Sequence, residues 1–119
     1  MRAGFVAVTI AAAVVGFAGI ASAADPLEVA PNMYKKNFEN DRTRVMTVTF
    51  APGQSIAEHS HPDHFAYVLE AGTLKITKST GEVVEMSPKV GDVVWIPAET
   101  HSAVNIGSTP VKLLTVEFK

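Results

Sequence analysis

GQSIAEHSHPDHFAYVLEAG, residues Gly53 to Gly72, and GDVVWIPAETHSAVN, residues Gly91 to Asn105, are the two stretches whose reading decides the fold. Together they hold His59, His61, His64 and His101, all four histidines of the chain. Neutral imidazole is the commonest protein metal ligand, so four of them confined to two short windows point to joint use. His59 and His61 stand at i and i+2, and on a strand both rings leave the same face and can grip one ion. His64 follows Pro62-Asp63, where a bend can bring it back beside them. His101 is remote in sequence but begins a strand that an antiparallel barrel can set opposite.

Outward from these windows the chain reads as all-β. No long segment after Leu27 carries apolar residues at i, i+3, i+4 and i+7, whereas short runs alternate or are rich in β-branched residues. Expected strands are 34–38, 44–50, 55–61, 65–69, 73–78, 82–86, 93–96, 101–106 and 111–118. Turn chemistry separates them at Glu39-Asn40-Asp41, Pro52-Gly53, Ser79-Thr80-Gly81, Lys89-Val90-Gly91-Asp92 and Gly107-Ser108-Thr109-Pro110. Within 44–50, Met46, Val48 and Phe50 share one face. The last strand alternates Leu114, Val116 and Phe118 against Thr115 and Glu117, so one face is buried. Many short, closely spaced strands fit a sandwich, jelly roll or small barrel.

The two windows resemble the paired motifs of the cupin superfamily. In the first, Gly53, five residues and His59-Ser60-His61 match; aligning Tyr67-Val68-Leu69-Glu70 with the motif's end puts His64 where the family has Glu, one residue early. In the second, Gly91 and Pro97 match, as does the spacing of His101 to Asn105, while Glu99 replaces a Gly and His101 comes one residue early. The resemblance implies a jelly-roll β-barrel over 24–119, with His59, His61 and His101 as metal ligands and a fourth ligand from the Glu position, here His64 ahead of Glu58 and Glu70. An all-nitrogen set suits Zn, Fe, Ni, Cu or Mn better than Mg or Ca, which prefer oxygen. Losing the carboxylate leaves a stronger Lewis acid, favouring anionic substrates or bound hydroxide.

Residues 1–23 read as a signal peptide: Met1-Arg2, an uncharged run from Ala3 to Ala21, then Ala21-Ser22-Ala23 before the polar, helix-stopping Ala24-Asp25-Pro26. The alternative is a membrane-anchoring helix; cleavage predicts an exported, periplasmic or secreted protein with no stable anchor. The formal charge of -2 offers no basic field for nucleic acid, and the absence of cysteine excludes disulfides and a lipid-modified N-terminal Cys.

Trp95, Tyr67, Phe65, Met46, Phe50 and Phe118 are candidates for pocket or core, with core the commoner role of such residues in a barrel. Glu99, in the loop before His101, is a candidate acid at the mouth. Gly53, Gly72 and Gly91 read as turn residues needing a permissive backbone. No Ser-His-Asp order, phosphate loop or Cys-His pair is present.

Three functions follow. The first is a metal-dependent enzyme of oxygenase, isomerase or decarboxylase type acting on a small substrate, the resemblance being closest to short cupins annotated in β-alanine degradation. The second is a non-catalytic protein that captures a metal or small ligand, and the third a dimeric scaffold with a vestigial site. The exposed edge of 34–38, with family habit, implies a homodimer.

Overall fold

A computed structural model describes residues 24–119; the expected signal peptide, 1–23, lies outside them. The described chain runs α1 (Pro26–Val29), β1 (Tyr34–Glu39), β2 (Thr43–Phe50), β3 (Ser55–His61), β4 (His64–Glu70), β5 (Leu74–Lys78), β6 (Val83–Met86), β7 (Val93–Ile96), β8 (Glu99–Asn105) and β9 (Val111–Phe118). All nine expected strands are present, with ends shifted by no more than two residues.

One expectation is corrected at the start. Asp25-Pro26 begins a helix as well as ending a segment: Asp25 is its N-cap, accepting from the Leu27 amide at 2.8 Å, and Pro26 occupies the first turn. Proline suits that place because its missing N–H would have no partner there. Among the described residues no helix is long and apolar enough to cross a membrane.

The strands form two antiparallel sheets, ordered β1-β2-β9-β4-β7 and β3-β8-β5-β6. Between them lies a core of Met46, Val48 and Phe50 from β2, Ile56 from β3, Leu74 from β5, Ala103 from β8 and Val111 from β9. Alternation on β2 is as expected, and the face it buries is that of Met46, Val48 and Phe50.

On β9 the inward face is that of Val111, Leu113, Thr115 and Glu117, so its C-terminal half buries the polar side of the alternation. Thr115 pairs with Met46 on one side and Ala66 on the other, both inward-facing, so register turns Thr115 and Glu117 into the barrel. Leu114, Val116 and Phe118 then point outward. Across the whole five-stranded sheet, Trp95, Phe65, Val116, Val45 and Phe38 are successive cross-strand partners, an apolar row on the outer surface. Trp95 is 58% exposed, and Phe118 packs on it at 5.8 Å and on Phe65 at 6.0 Å. Of the six candidates for core or pocket, Met46 and Phe50 are buried, Phe65 is half-buried, and Tyr67, Trp95 and Phe118 share the outward parity of their strands and are exposed, although Trp95 also contributes to the lining of the interior cavity, as does Phe50.

The glycines divide by cause. Gly91 has φ of 90°, a conformation costly for any side chain, as the turn reading requires. Gly72 needs no such freedom: a Cβ there would meet Val111 Cγ2 at 2.5 Å, so close packing excludes the side chain.

Candidate metal centre

His59 and His61 both face the barrel interior from β3, as their i, i+2 spacing requires. Ile56 is also buried, three positions before His59, which strict alternation forbids. A register shift between Ile56 and His59 resolves this: the strand bulges at Ala57-Glu58, changing parity so that apolar Ile56 enters the core and the two imidazoles enter the site. Across the ladder His59 is paired with His101. Ring centroids are 4.8 Å apart for His59–His61, 4.8 Å for His59–His101 and 5.2 Å for His61–His101. Each of the three offers a ring nitrogen within 4.8 Å of the other two.

Every ring is held through Nδ1. His59 donates to the Ala57 carbonyl (2.8 Å), His61 to Glu117 Oε2 (2.7 Å), His64 to the Pro62 carbonyl (2.8 Å) and His101 to Glu99 Oε2 (2.7 Å). Carbonyls and carboxylates only accept, so each neutral ring carries its proton on Nδ1 and a lone pair on Nε2, the arrangement that orients imidazole toward a metal. His59 Nε2 is buried and has no hydrogen-bond partner among the described residues. Burial lowers the His59 pKa to about 4, with the neighbouring His61 and His101 adding to the effect against the pull of the Ala57 carbonyl. Burial likewise pushes His64 and His101 down. Neutral imidazoles and an orphaned buried nitrogen fit a divalent transition metal.

His64 also faces inward, its ring 4.5 Å from that of His61, but it is not one of the three whose nitrogens close together. Glu58 and Glu70 are exposed. Glu99 belongs to β8 and not to a loop, and its side chain accepts from His101, so it supports that ring instead of standing free at the mouth. Asn105 is fully buried and structural: Nδ2 donates to the Phe50 and Thr109 carbonyls while Oδ1 accepts from Gly107.

Sequence reading missed Glu117, Arg44 and Tyr34. Glu117 is 2% exposed and joins His61 to Arg44, whose Nε donates to Oε1 at 2.8 Å. Burial raises the Glu117 pKa, but the hydrogen bonds from His61 and Arg44 outweigh it and hold the carboxyl below its usual range. Buried Tyr34 sets its ring 6.2 Å from His59 and 6.3 Å from His61. The sequence showed Glu117 only as a charged residue on the polar side of an alternating strand; its inward turn and its partners come from the register of β9.

The histidines line one wall of a cavity of about 240 Å³ whose other walls are mainly apolar, among them Val48, Phe50, Ile76 and Leu113. Among the described residues Lys78 is the only lysine or arginine lining it; it is the cross-strand partner of His101 and pairs with Glu82 at 3.4 Å. Such a chamber, apolar with a few convergent polar groups, is suited to a small ligand.

Comparison with known proteins accords with this geometry. The family model described as a cupin domain matches residues 46–117. A cupin domain from Bordetella pertussis Tohama I superposes with a TM-score of 0.68 at 22% identity, covering 73% of this chain and 92% of that one. An RmlC-like cupin family protein with a double-stranded β-helix fold from Methanocaldococcus jannaschii gives 0.59 at 16% identity, covering 71% and 77%. A predicted oxalate decarboxylase from Thermotoga maritima gives 0.55 at 25%, also covering 71% and 77%. No curated protein sequence matches this one. Both histidine windows lie inside the matched region, and the chain belongs to the cupin domain family.

Proposed function

We propose that this protein is an exported metal-binding cupin, an enzyme of oxygenase, isomerase or decarboxylase type acting on a small anionic substrate. The observation that carries the reading is the closing of His59, His61 and His101 within 4.8 Å around the unpartnered Nε2 of His59, beside the cavity. Those three residues would hold the ion, with His64 as the fourth ligand, its ring being next to His61. A divalent transition metal bound there supplies a Lewis acid or redox centre. The protein's own part is to keep the imidazoles neutral and oriented through Ala57, Glu117, Pro62 and Glu99. The apolar walls exclude water, and Lys78 brings to the wall a positive charge that it shares with Glu82 at 3.4 Å. That charge, with the likeness to a predicted oxalate decarboxylase, favours a carboxylate substrate. We add β-alanine to the compounds to test, on the resemblance of the sequence motifs alone.

The alternative is a non-catalytic metal- or ligand-binding protein. It is favoured by the engagement of both carboxylates nearest the histidines, Glu99 with His101 and Glu117 with His61 and Arg44, which leaves no unengaged acid or base among them. A homodimer is also proposed, supported by β1 at an exposed sheet edge and the apolar outer row containing Trp95.

The deciding experiment is metal analysis of the purified mature protein, then turnover assays on small carboxylates, diketones and sugars after reconstitution. Stoichiometric metal in the wild type and none in His59→Ala supports the metal site. Turnover separates enzyme from binder, and absence of metal uptake by the wild type would overturn the enzyme reading and the metal-binding form of the alternative.

A further inference from the structure

His61 is tied to the N-terminal segment by an unbroken chain of short polar contacts. Its Nδ1 donates to Glu117 Oε2 at 2.7 Å. Glu117 Oε1 accepts from Arg44 Nε at 2.8 Å and lies 2.8 Å from Nη2. Arg44 Nη1 donates in turn to Asp25 Oδ2 at 2.7 Å, while the other oxygen of Asp25 caps α1. The segment is also fastened beside the ligand strand itself, because the amide of Ser60, between His59 and His61, donates to the Ala24 carbonyl at 2.8 Å.

A guanidinium shared between two carboxylates exerts less of its charge on either than it would on one. Asp25 draws part of the Arg44 charge away from Glu117. Glu117 then keeps more negative charge for His61, and a stronger acceptor at Nδ1 makes Nε2 a better ligand. We propose that Asp25 is a positioning residue for the metal centre, acting through Arg44 and Glu117 to orient and strengthen His61. This rests on the reading of the histidines as a metal site, yet its effect on the His61 hydrogen bond exists without metal.

The test uses the mature protein and the substitution Asp25→Ser. Serine is as good an N-cap as aspartate but too short to reach Arg44, so α1 is kept and the link is cut. Leu27→Ala is the control: it loosens the packing of α1 on the core and leaves Asp25 in place. In metal-free, nitrogen-15 histidine-labelled protein, Asp25→Ser is expected to move the His61 Nδ1 proton upfield, with the resonances of His59 and His64 unmoved and Leu27→Ala without effect. By Zn(II) competition titration, Asp25→Ser is expected to weaken binding roughly 3- to 10-fold, below the 10- to 100-fold typical of direct partners of a ligand. An unmoved His61 proton in Asp25→Ser, or an equal shift in Leu27→Ala, would overturn the proposal. Failure of wild-type protein to take up Zn(II) would instead overturn the metal reading, since the proton resonance reports without metal.

Discussion

His61 donates from Nδ1 to Oε2 of Glu117 over 2.7 Å, across 56 positions of sequence and with both side chains buried. Replacing Glu117 by Gln keeps the shape and removes the charge that faces both His61 and Arg44. Metal affinity in Glu117→Gln is expected to fall about 10- to 100-fold. The metal-free protein is expected to lose about 1–3 kcal/mol through the weakened Arg44 contact. Competition titration and urea unfolding measure the two; unchanged metal affinity would remove Glu117 from the site.

Acid is expected to destabilise the metal-free protein. The His59 pKa falls from 6.5 to about 4 on folding, with burial the main cause. Above pH 6.5 both states are neutral and the contribution is complete; below it the unfolded imidazole takes a proton that the folded one refuses until about pH 4. Stability is therefore lost as pH falls from about 6.5 to 4, by on the order of 3 kcal/mol from this residue. His64 and His101, also pushed down by burial, and Glu117, held below its usual range by His61 and Arg44, act in the same direction. Urea midpoints at pH 7.5, 6 and 5 check this, and a flat profile contradicts it.

Trp95→Glu places a charge at the β7 end of the outer apolar row. The side chain is more than half exposed in the single chain, so folding should be little disturbed, within about 0.5 kcal/mol. Light scattering is expected to show a dimeric wild type and a monomeric variant. A wild type that is monomeric at high concentration ends the dimer proposal.

Gly72→Ala is expected to cost about 1–3 kcal/mol, because the added methyl meets the buried Val111 Cγ2 at 2.5 Å. Pairing it with Val111→Ala, which removes the clashing methyl, should make the two changes non-additive by at least about 0.5 kcal/mol. Additivity in a double-mutant cycle would place the role of Gly72 elsewhere.

By itself the sequence determined the strands, the division of β2 into two faces and the same-side placement of His59 and His61. These rest on alternation and turn chemistry, which act over a few residues. The two histidine windows, through their resemblance, also joined His101 to the site. Only the tertiary structure decided the parity change at Ala57-Glu58, the inward turn of Glu117 against the apolar alternation of β9, and the engagement of Glu99 with His101. It also exposed the link from Asp25 through Arg44 to the centre. The physical reason is register. Which residues face each other across a ladder depends on pairings between strands far apart in sequence, and a shift of one residue reverses the face that every side chain occupies.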